Sequence, residues 1–291
     1  MLHLPVWSVY LVTLHYHHQL SGEGFALVDL AVMAGLNLLF AAAFYINQVT
    51  DIETDRINRK LGFIQRGLIS ERAMMLAFLL CSAVALAMGA LISKTALWLF
   101  VFVFVLAYAY SAPPWRLKDR PLGGLAANMI AHGLLVSLAV MPDLDMHNVG
   151  LLGWDNPFYF ALSVGGTFCL TTVPDRGGDR AAGKRTLAVA AGPNAAVAVA
   201  LCLYLAGAAL AWRSGYQLLL WLALLAAVLA LGALVSRSPK PVLLAAKLPL
   251  LLLTLIAGYF YPPYLLFIVA LLFATRVYYR KRFGEVYPRL A

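Results

Sequence analysis

Apolar runs of about 20 residues follow one another along almost the whole chain, and they limit its possible folds more than any other feature. A helix needs about 20 apolar residues to cross the hydrocarbon layer of a membrane. Of the 291 residues, 63% are hydrophobic and only 12% are charged, whereas an ordinary soluble domain is about 45–50% apolar and about 25% charged. One soluble core cannot bury this much apolar surface, so the composition predicts an integral membrane protein.

The runs predict ten membrane-spanning helices. Tyr261, Pro262 and Pro263 alone separate the last two runs, which fits either a kink or a turn. We therefore expect an all-α, polytopic bundle of nine to ten transmembrane helices, with residues 1–291 forming one domain. The predicted spans are residues 2–20, 25–48, 73–93, 95–112, 121–142, 157–174, 187–212, 215–235, 241–259 and 262–279.

Basic residues predict the orientation of these spans. If the N-terminus is cytoplasmic, 19 of the 22 Lys and Arg residues lie at the cytoplasmic side. This asymmetry is what the positive-inside rule expects, and the reverse topology would place the same residues outside. The net charge of +9 is then a property of the loops, and we expect a lipid bilayer as partner and no nucleic acid.

Acidic residues at span ends form two sets. Asn47, Asp51 and Asp55 follow the second span with i, i+4, i+8 spacing, so they lie on one helix face, while Glu53 points elsewhere. Asp175 and Asp179 repeat the i, i+4 spacing at the end of the sixth span. Both sets are predicted at the same membrane face, because both spans end inside.

These oxygen ligands suit Mg²⁺, which usually binds through one or two carboxylates plus substrate phosphates. The alternative is that the acids pair with neighbouring arginines as solvated loop charges. A third segment, which closes the fourth span after two prolines, adds Arg116 and Lys118 at the same face. Arg and Lys are the residues that bind phosphate, although a positive-inside loop would also explain them.

Together these motifs resemble the UbiA-type intramembrane prenyltransferase family. The matching segments are NxxxDxxxD at Asn47, Asp51 and Asp55, YSxPPxRxK from Tyr110 to Lys118, and the second aspartate motif from Asp175 to Thr186. The resemblance covers about residues 37–190. The family usually has nine spans and often a Pro-x-Arg-Pro run after its first motif, which is missing from residues 60–67 here.

The resemblance implies an all-helical bundle around a cavity that holds the two aspartate motifs. It implies Mg²⁺-assisted ionisation of an allylic prenyl diphosphate and transfer of the prenyl group to a hydrophobic or aromatic acceptor. The second motif looks closer to the lipoquinone, tocopherol and chlorophyll branches than to the 4-hydroxybenzoate branch. The residues implied to bind metal are Asn47, Asp51, Asp55, Asp175 and Asp179. The four aspartates among them, Asp51, Asp55, Asp175 and Asp179, are also the implied catalytic residues. The residues implied to bind the diphosphate are Asn47, Arg56, Tyr110, Arg116, Lys118, Arg180 and Lys184.

The sequence leaves two other functions possible and does not decide the role of His132. A CDP-alcohol phosphotransferase also uses intramembrane aspartates, but in one continuous run. A transporter would instead place polar residues near the bilayer midplane. His132, in the fifth span, is either a proton acceptor facing a cavity or a packing histidine.

Overall fold

The computed structural model of the protein describes residues 4–57, 62–141, 153–236 and 239–284. Within these ranges the chain is helical and contains no strand. The helices are α1 (Leu4–Ser21), α2 (Leu27–Thr50), α3 (Ile52–Ile57), α4 (Glu71–Ile92), α5 (Lys94–Ser111), α6 (Pro121–Leu138), α7 (Asp155–Ala181), α8 (Leu187–Ala190), α9 (Pro193–Arg213), α10 (Gln217–Ser236), α11 (Pro239–Phe260) and α12 (Pro262–Phe283).

The ten predicted spans correspond to the ten long helices of this part of the chain. Eight of them are long and apolar enough to cross a membrane by length and composition. The other two are α1, which carries three histidines, and α7, which carries the second aspartate motif. The prediction of an all-helical membrane protein is therefore confirmed.

One predicted boundary was wrong, and prolines and glycines explain it. The seventh span was expected from residue 187, but α8 ends at Ala190 and α9 begins at Pro193. Gly192, with a positive φ of 92°, turns the chain, and Pro193 occupies the first turn of α9, where its missing N–H costs nothing. At the other ambiguous junction, α11 and α12 are separate helices joined by Tyr261.

The helices pack as neighbours around the bundle. Helices α2, α4 and α5 form one group, α7, α9, α10 and α11 form another, and α6 lies against both α5 and α7. Helix α1 packs on α11. Alanines fill the contacts among α9, α10 and α11, because small residues let membrane helices approach closely; they include Ala200, Ala226, Ala230, Ala233 and Ala245.

Candidate active site

Asp51 lies at a break between two helices. Helix α2 ends at Thr50, and Asp51 leaves the helical conformation with φ −111° and ψ 12° before α3 begins. The backbone ladder nevertheless continues, because the Asp51 N–H donates to the Asn47 carbonyl (3.0 Å) and the Asp55 N–H to the Asp51 carbonyl (2.8 Å). The chain therefore holds the first motif in helical register while it buries the Asp51 side chain.

Three cationic side chains from other segments converge on this buried carboxylate. Nζ of Lys118 lies 2.9 Å from Asp51 Oδ1, and Nζ of Lys184 lies 3.4 Å from Oδ2. A guanidinium nitrogen of Arg116 lies 3.5 Å from Oδ1. The alternative that the acids pair only with neighbouring arginines is wrong for Asp51, whose partners come from the segment after α5 and the segment after α7.

The segment after α5 delivers Lys118 into the interior. Pro113 and Pro114 follow the end of α5, and Arg116 then adopts a left-handed conformation with φ 39°, which turns the chain inward. Lys118 is 6% exposed and donates to Asn47 Oδ1 (2.8 Å) and Thr50 Oγ1 (2.9 Å). Burial lowers the pKa of Lys118 to about 8, against the opposing effect of the Asp51 carboxylate.

Asp119 is a member of this cluster that the sequence reasoning missed. Its Oδ2 accepts from Arg116 Nε at 2.6 Å, its Oδ1 lies 3.9 Å from Lys184 Nζ, and its carbonyl accepts from the Arg185 N–H at 2.9 Å. Asp119 thus joins the segment after α5 to the segment after α7. Its only signal in the sequence is an acid directly after Lys118 in an otherwise basic loop.

The second motif occupies the last turns of α7. Asp179 is buried and Asp175 is half-buried. The Lys184 N–H donates to the Asp179 carbonyl at 2.9 Å, which closes the turn after the helix and directs the Lys184 side chain toward Asp51. Helix α3 packs against α7, so the ends of the two motif helices are neighbours.

Two predicted diphosphate-binding residues are not brought into the cluster. Arg56 pairs with Glu53 at 2.9 Å, and both side chains are largely exposed. Arg180 is exposed and lines a surface cleft with Arg176, whose Nε donates to the Ala188 carbonyl at 3.1 Å. Glu53 points away from Asp51, as predicted.

The loop after the first motif contains no proline. Part of it, including Asn58, Arg59 and Lys60, lies outside the described residues. In its second half, Gly62 and Gln65 lie against the ends of α2 and α3. Nε2 of Gln65 donates to the Ile52 carbonyl at 3.5 Å. A Cβ atom at Gly62 would come within 2.5 Å of the Gln48 and Gln65 side-chain oxygens, so the loop approaches α2 closely.

An apolar cavity opens beside the charged cluster. Asn47 and Tyr110 line its polar end, where the Asn47 oxygen already accepts from Lys118. Phe40 and Phe44 line it deeper in the bundle.

The donor set of the cluster fits Mg²⁺ chemically. Asn47, Asp51, Asp119 and Asp179 present amide and carboxylate oxygens, the hard ligands that Mg²⁺ prefers. Oδ1 of Asp119 is buried and has no hydrogen-bond donor within the described part of the chain. Within the ranges that the structure describes, no three His, Cys, Asp or Glu side chains form a ready-made metal site. Mg²⁺ usually takes only one or two carboxylates and completes its shell with substrate phosphates, so a preformed set of three is not required.

Comparisons with known proteins agree on a family. The model of the UbiA prenyltransferase family matches residues 5–247, which is most of the chain. No curated protein sequence matches this chain significantly.

Solved structures of UbiA homologues share the fold. The apo structure of a UbiA homologue from Aeropyrum pernix K1 is 22% identical, has a TM-score of 0.71, and matches over 89% of this chain and 98% of that chain. A UbiA homologue from Archaeoglobus fulgidus bound to DMAPP and Mg²⁺ is 19% identical, has a TM-score of 0.68, and matches over 88% and 94%. The same homologue bound to GPP and Mg²⁺ is 20% identical, has a TM-score of 0.67, and matches over 88% and 95%.

Proposed function

The chain belongs to the UbiA prenyltransferase family, and we propose that it transfers a prenyl group from an allylic prenyl diphosphate to an aromatic acceptor of the lipoquinone-precursor type. The bond between C1 of the prenyl group and the diphosphate oxygen breaks, and the diphosphate leaves with the electron pair. The electron-rich acceptor attacks the allylic cation, a new bond forms at C1, and the acceptor loses a proton.

One observation carries this proposal: three cations meet at the buried Asp51 carboxylate, beside the polar end of an apolar cavity. Lys118, Lys184 and Arg116 surround Asp51, and Asn47 belongs to both the cluster and the cavity wall. A prenyl diphosphate has the matching shape, with a strongly anionic head on an apolar tail. The cations bind the head, and the cavity takes the tail.

Without a diphosphate, Asp51 keeps these cations together. A buried charge is costly unless it is paired. Lys118 is almost wholly buried, and the Asp51 carboxylate is its partner. Arg116 is further held by Asp119, so its planar guanidinium is fixed before a ligand arrives. In the reaction these side chains stabilise the charge that develops on the leaving oxygen, and their fixed positions reduce the reorganisation this requires.

Asp51, Asp55, Asp175 and Asp179, with Asn47 and Asp119, are the residues that would hold Mg²⁺. When bound, Mg²⁺ would neutralise part of the diphosphate charge and so favour its departure. In support, two UbiA homologue structures of the same fold are described as bound to a prenyl diphosphate and Mg²⁺. Tyr110 lines the cavity at this end. We propose that it contacts the bound diphosphate. Arg56, Arg180 and the other exposed basic residues of this face meet the diphosphate only as it enters.

We further propose that this end of the bundle faces the cytoplasm, in the inner membrane if the cell is bacterial. The support is the distribution of Lys and Arg residues among the loops.

The test uses purified full-length protein in lipid nanodiscs. We expect Mg²⁺-dependent release of diphosphate from an allylic substrate when an aromatic acceptor is present, and mass spectrometry of a panel of acceptors identifies the product. Asp51→Asn in the same nanodiscs is the control for background hydrolysis. Failure of every allylic diphosphate to react, in a protein that remains folded, would overturn the proposal.

A further inference from the structure

His132 lines two cavities of the bundle. The first is the cavity already described beside the charged cluster. The second lies among α1, α6, α7, α9, α10 and α11. Its wall is almost wholly apolar; lining residues include Val9, Phe160, Val164, Tyr204, Ala226 and Leu253.

The second cavity lies farther from the charged cluster than the first. On α7, its lining ends at Thr167, eight residues before Asp175. At a rise of 1.5 Å per residue, this places it about 12 Å deeper along the helix. The first cavity by contrast reaches Asn47, which contacts Lys118 directly.

The backbone fixes His132 at this junction. Residues Met129–Leu135 form a π-helical segment within α6, with His132 at its centre. Segments of this kind widen a helix turn locally and are frequent at functional sites. The next residue, Gly133, lies so close to α7 that a Cβ atom there would be 2.4 Å from the Ala161 Cα. The contact with α7 leaves the His132 ring directed between the cavities.

Phe40 contacts the His132 ring from the other side. The ring centroids are 4.4 Å apart, and Phe40 belongs to the lining of the first cavity. Phe40 precedes Asn47 by seven residues on α2, which corresponds to about 10 Å of helix. The two rings therefore close the deep end of the first cavity.

We propose that His132 and Phe40 form a partition that limits the length of the prenyl chain. This rests on the proposed function, because the reacting carbon C1 is bonded directly to the diphosphate. With the head at the charged cluster, C1 lies in the first cavity, and only the far end of a longer tail reaches the partition. The second cavity takes that far end when the partition opens.

The dimensions give the length at which the partition acts. An extended chain advances about 3.5 Å over three main-chain bonds, so the four bonds of one isoprene unit span about 5 Å. The first cavity, about 10 Å deep, then holds about two units. Chains of five and ten carbons fit before the partition, whereas chains of fifteen and twenty carbons must pass it.

The experiment measures kcat/KM for allylic diphosphates of five, ten, fifteen and twenty carbons in nanodiscs. We expect His132→Ala to raise the twenty-carbon to ten-carbon ratio by about tenfold, since one methylene in an apolar pocket already changes selectivity by that amount. Phe40→Ala opens the partition from the other side and should shift the ratio in the same direction. His132→Phe keeps a ring without its nitrogens and should leave the ratio unchanged.

A second substitution tests where the long tail goes. Val164→Phe narrows the second cavity, so in the His132→Ala background it should restore the wild-type ratio and leave ten-carbon turnover unaffected. Thermal unfolding of each variant checks that it remains folded. Dissociation constants of unreactive thiodiphosphate analogues of the same four lengths provide a second measurement that does not depend on turnover.

The outcomes separate this inference from the proposed function. Turnover with an unchanged length ratio in both His132→Ala and Phe40→Ala overturns the partition alone. A uniform loss at all lengths in His132→Ala and His132→Phe would instead make His132 a catalytic group. If the protein shows no turnover and binds no analogue at any of the four lengths, both the proposed function and the partition are overturned.

Discussion

Nζ of Lys118 lies 2.9 Å from Oδ1 of Asp51, and both side chains are almost fully buried. The two residues belong to different motifs, one at the end of α2 and one after α5. A buried ion pair is retained at a cost in desolvation, so its position beside an apolar cavity needs a functional explanation. Binding of a polyanionic head group supplies one, because the ammonium group can exchange one anion for another.

Asp51→Asn should lower kcat/KM for the allylic diphosphate by at least about 100-fold, or roughly 3 kcal/mol of electrostatic stabilisation. The change keeps the side-chain shape but removes the charge that gathers Lys118, Lys184 and Arg116. Glu53→Ala is the matched control, because Glu53 is exposed and pairs with the exposed Arg56, and its kcat/KM should stay within about twofold of the wild-type value. Equal losses in both variants would mean that the buried cluster has no special role.

Activity should fall as the pH rises through about 8. Burial lowers the pKa of Lys118 to about 8, so the ammonium group loses its proton above that pH and no longer attracts the diphosphate. A single deprotonation in the free enzyme lowers kcat/KM by about tenfold per pH unit. Lys118→Arg stays charged and should remove this alkaline fall, whatever its absolute rate. An alkaline fall that persists in Lys118→Arg would assign the titration to another group.

Arg116→Lys should lower kcat/KM by about tenfold although the charge is kept. The Arg116 guanidinium contacts Asp51, Asp119 and the Thr50 carbonyl, and one ammonium group cannot span all three. The loss of one hydrogen bond to a charged group is worth about 1.5 kcal/mol. Arg120→Lys is the control, since Arg120 is exposed in the same segment. Wild-type rates in Arg116→Lys would leave Arg116 only a role in membrane topology.

Gly133→Ala should lower the thermal unfolding temperature by several degrees. The new methyl group would lie 2.4 Å from the Cα of Ala161, and overpacking of this kind costs about 1–3 kcal/mol. Gly232→Ala is the matched control: it also lies within a long helix, and its Cβ would meet no atom within 4 Å. Alanine is the better helix former, so Gly232→Ala should unfold at the same temperature or higher. The two variants can be compared in one detergent, and equal unfolding temperatures would contradict the close α6–α7 contact.

Cysteine labelling should place the two motifs at the cytoplasmic side. On a background in which the three native cysteines are replaced, Arg185→Cys reports the end that carries the motifs and Lys94→Cys reports the opposite end of α5; both positions are exposed. We expect impermeant reagents to reach Arg185→Cys only from the cytoplasm and Lys94→Cys only from the other side. The reversed pattern would contradict the proposed orientation.

The membrane fold was predictable because its signals are local. A span needs only a sufficient apolar run, and each run was visible in the sequence. The break before Pro193 was missed because the apolar run continues from Leu187 across it, although Gly192 and Pro193 form a Gly-Pro pair that is a local turn signal. The π-helical segment of α6 was not predicted either; it lies where Gly133 contacts α7 closely, and that contact joins residues distant in the sequence.

The site was only partly predictable, because its contacts join distant segments. Spacing alone separated Asp51 from Glu53, and the structure shows one buried and the other exposed. Spacing did not reveal that Lys184 reaches Asp51 or that Asp119 contacts Arg116, since both contacts depend on how the loops fold over the helix ends. The metal-binding roles of Asp51, Asp55, Asp175 and Asp179 stay predictions.

The close approach of Gly133 to Ala161 has a mechanical consequence. It locks α6 to α7, so Asp119, just before α6, and Asp179, on α7, move as one body. Asn47 and Asp51 belong instead to the group of α2, α4 and α5. The charged cluster therefore spans the seam between two groups of helices, and a small rocking at that seam would change the distances from Asp51 to Arg116, Lys118 and Lys184 at once.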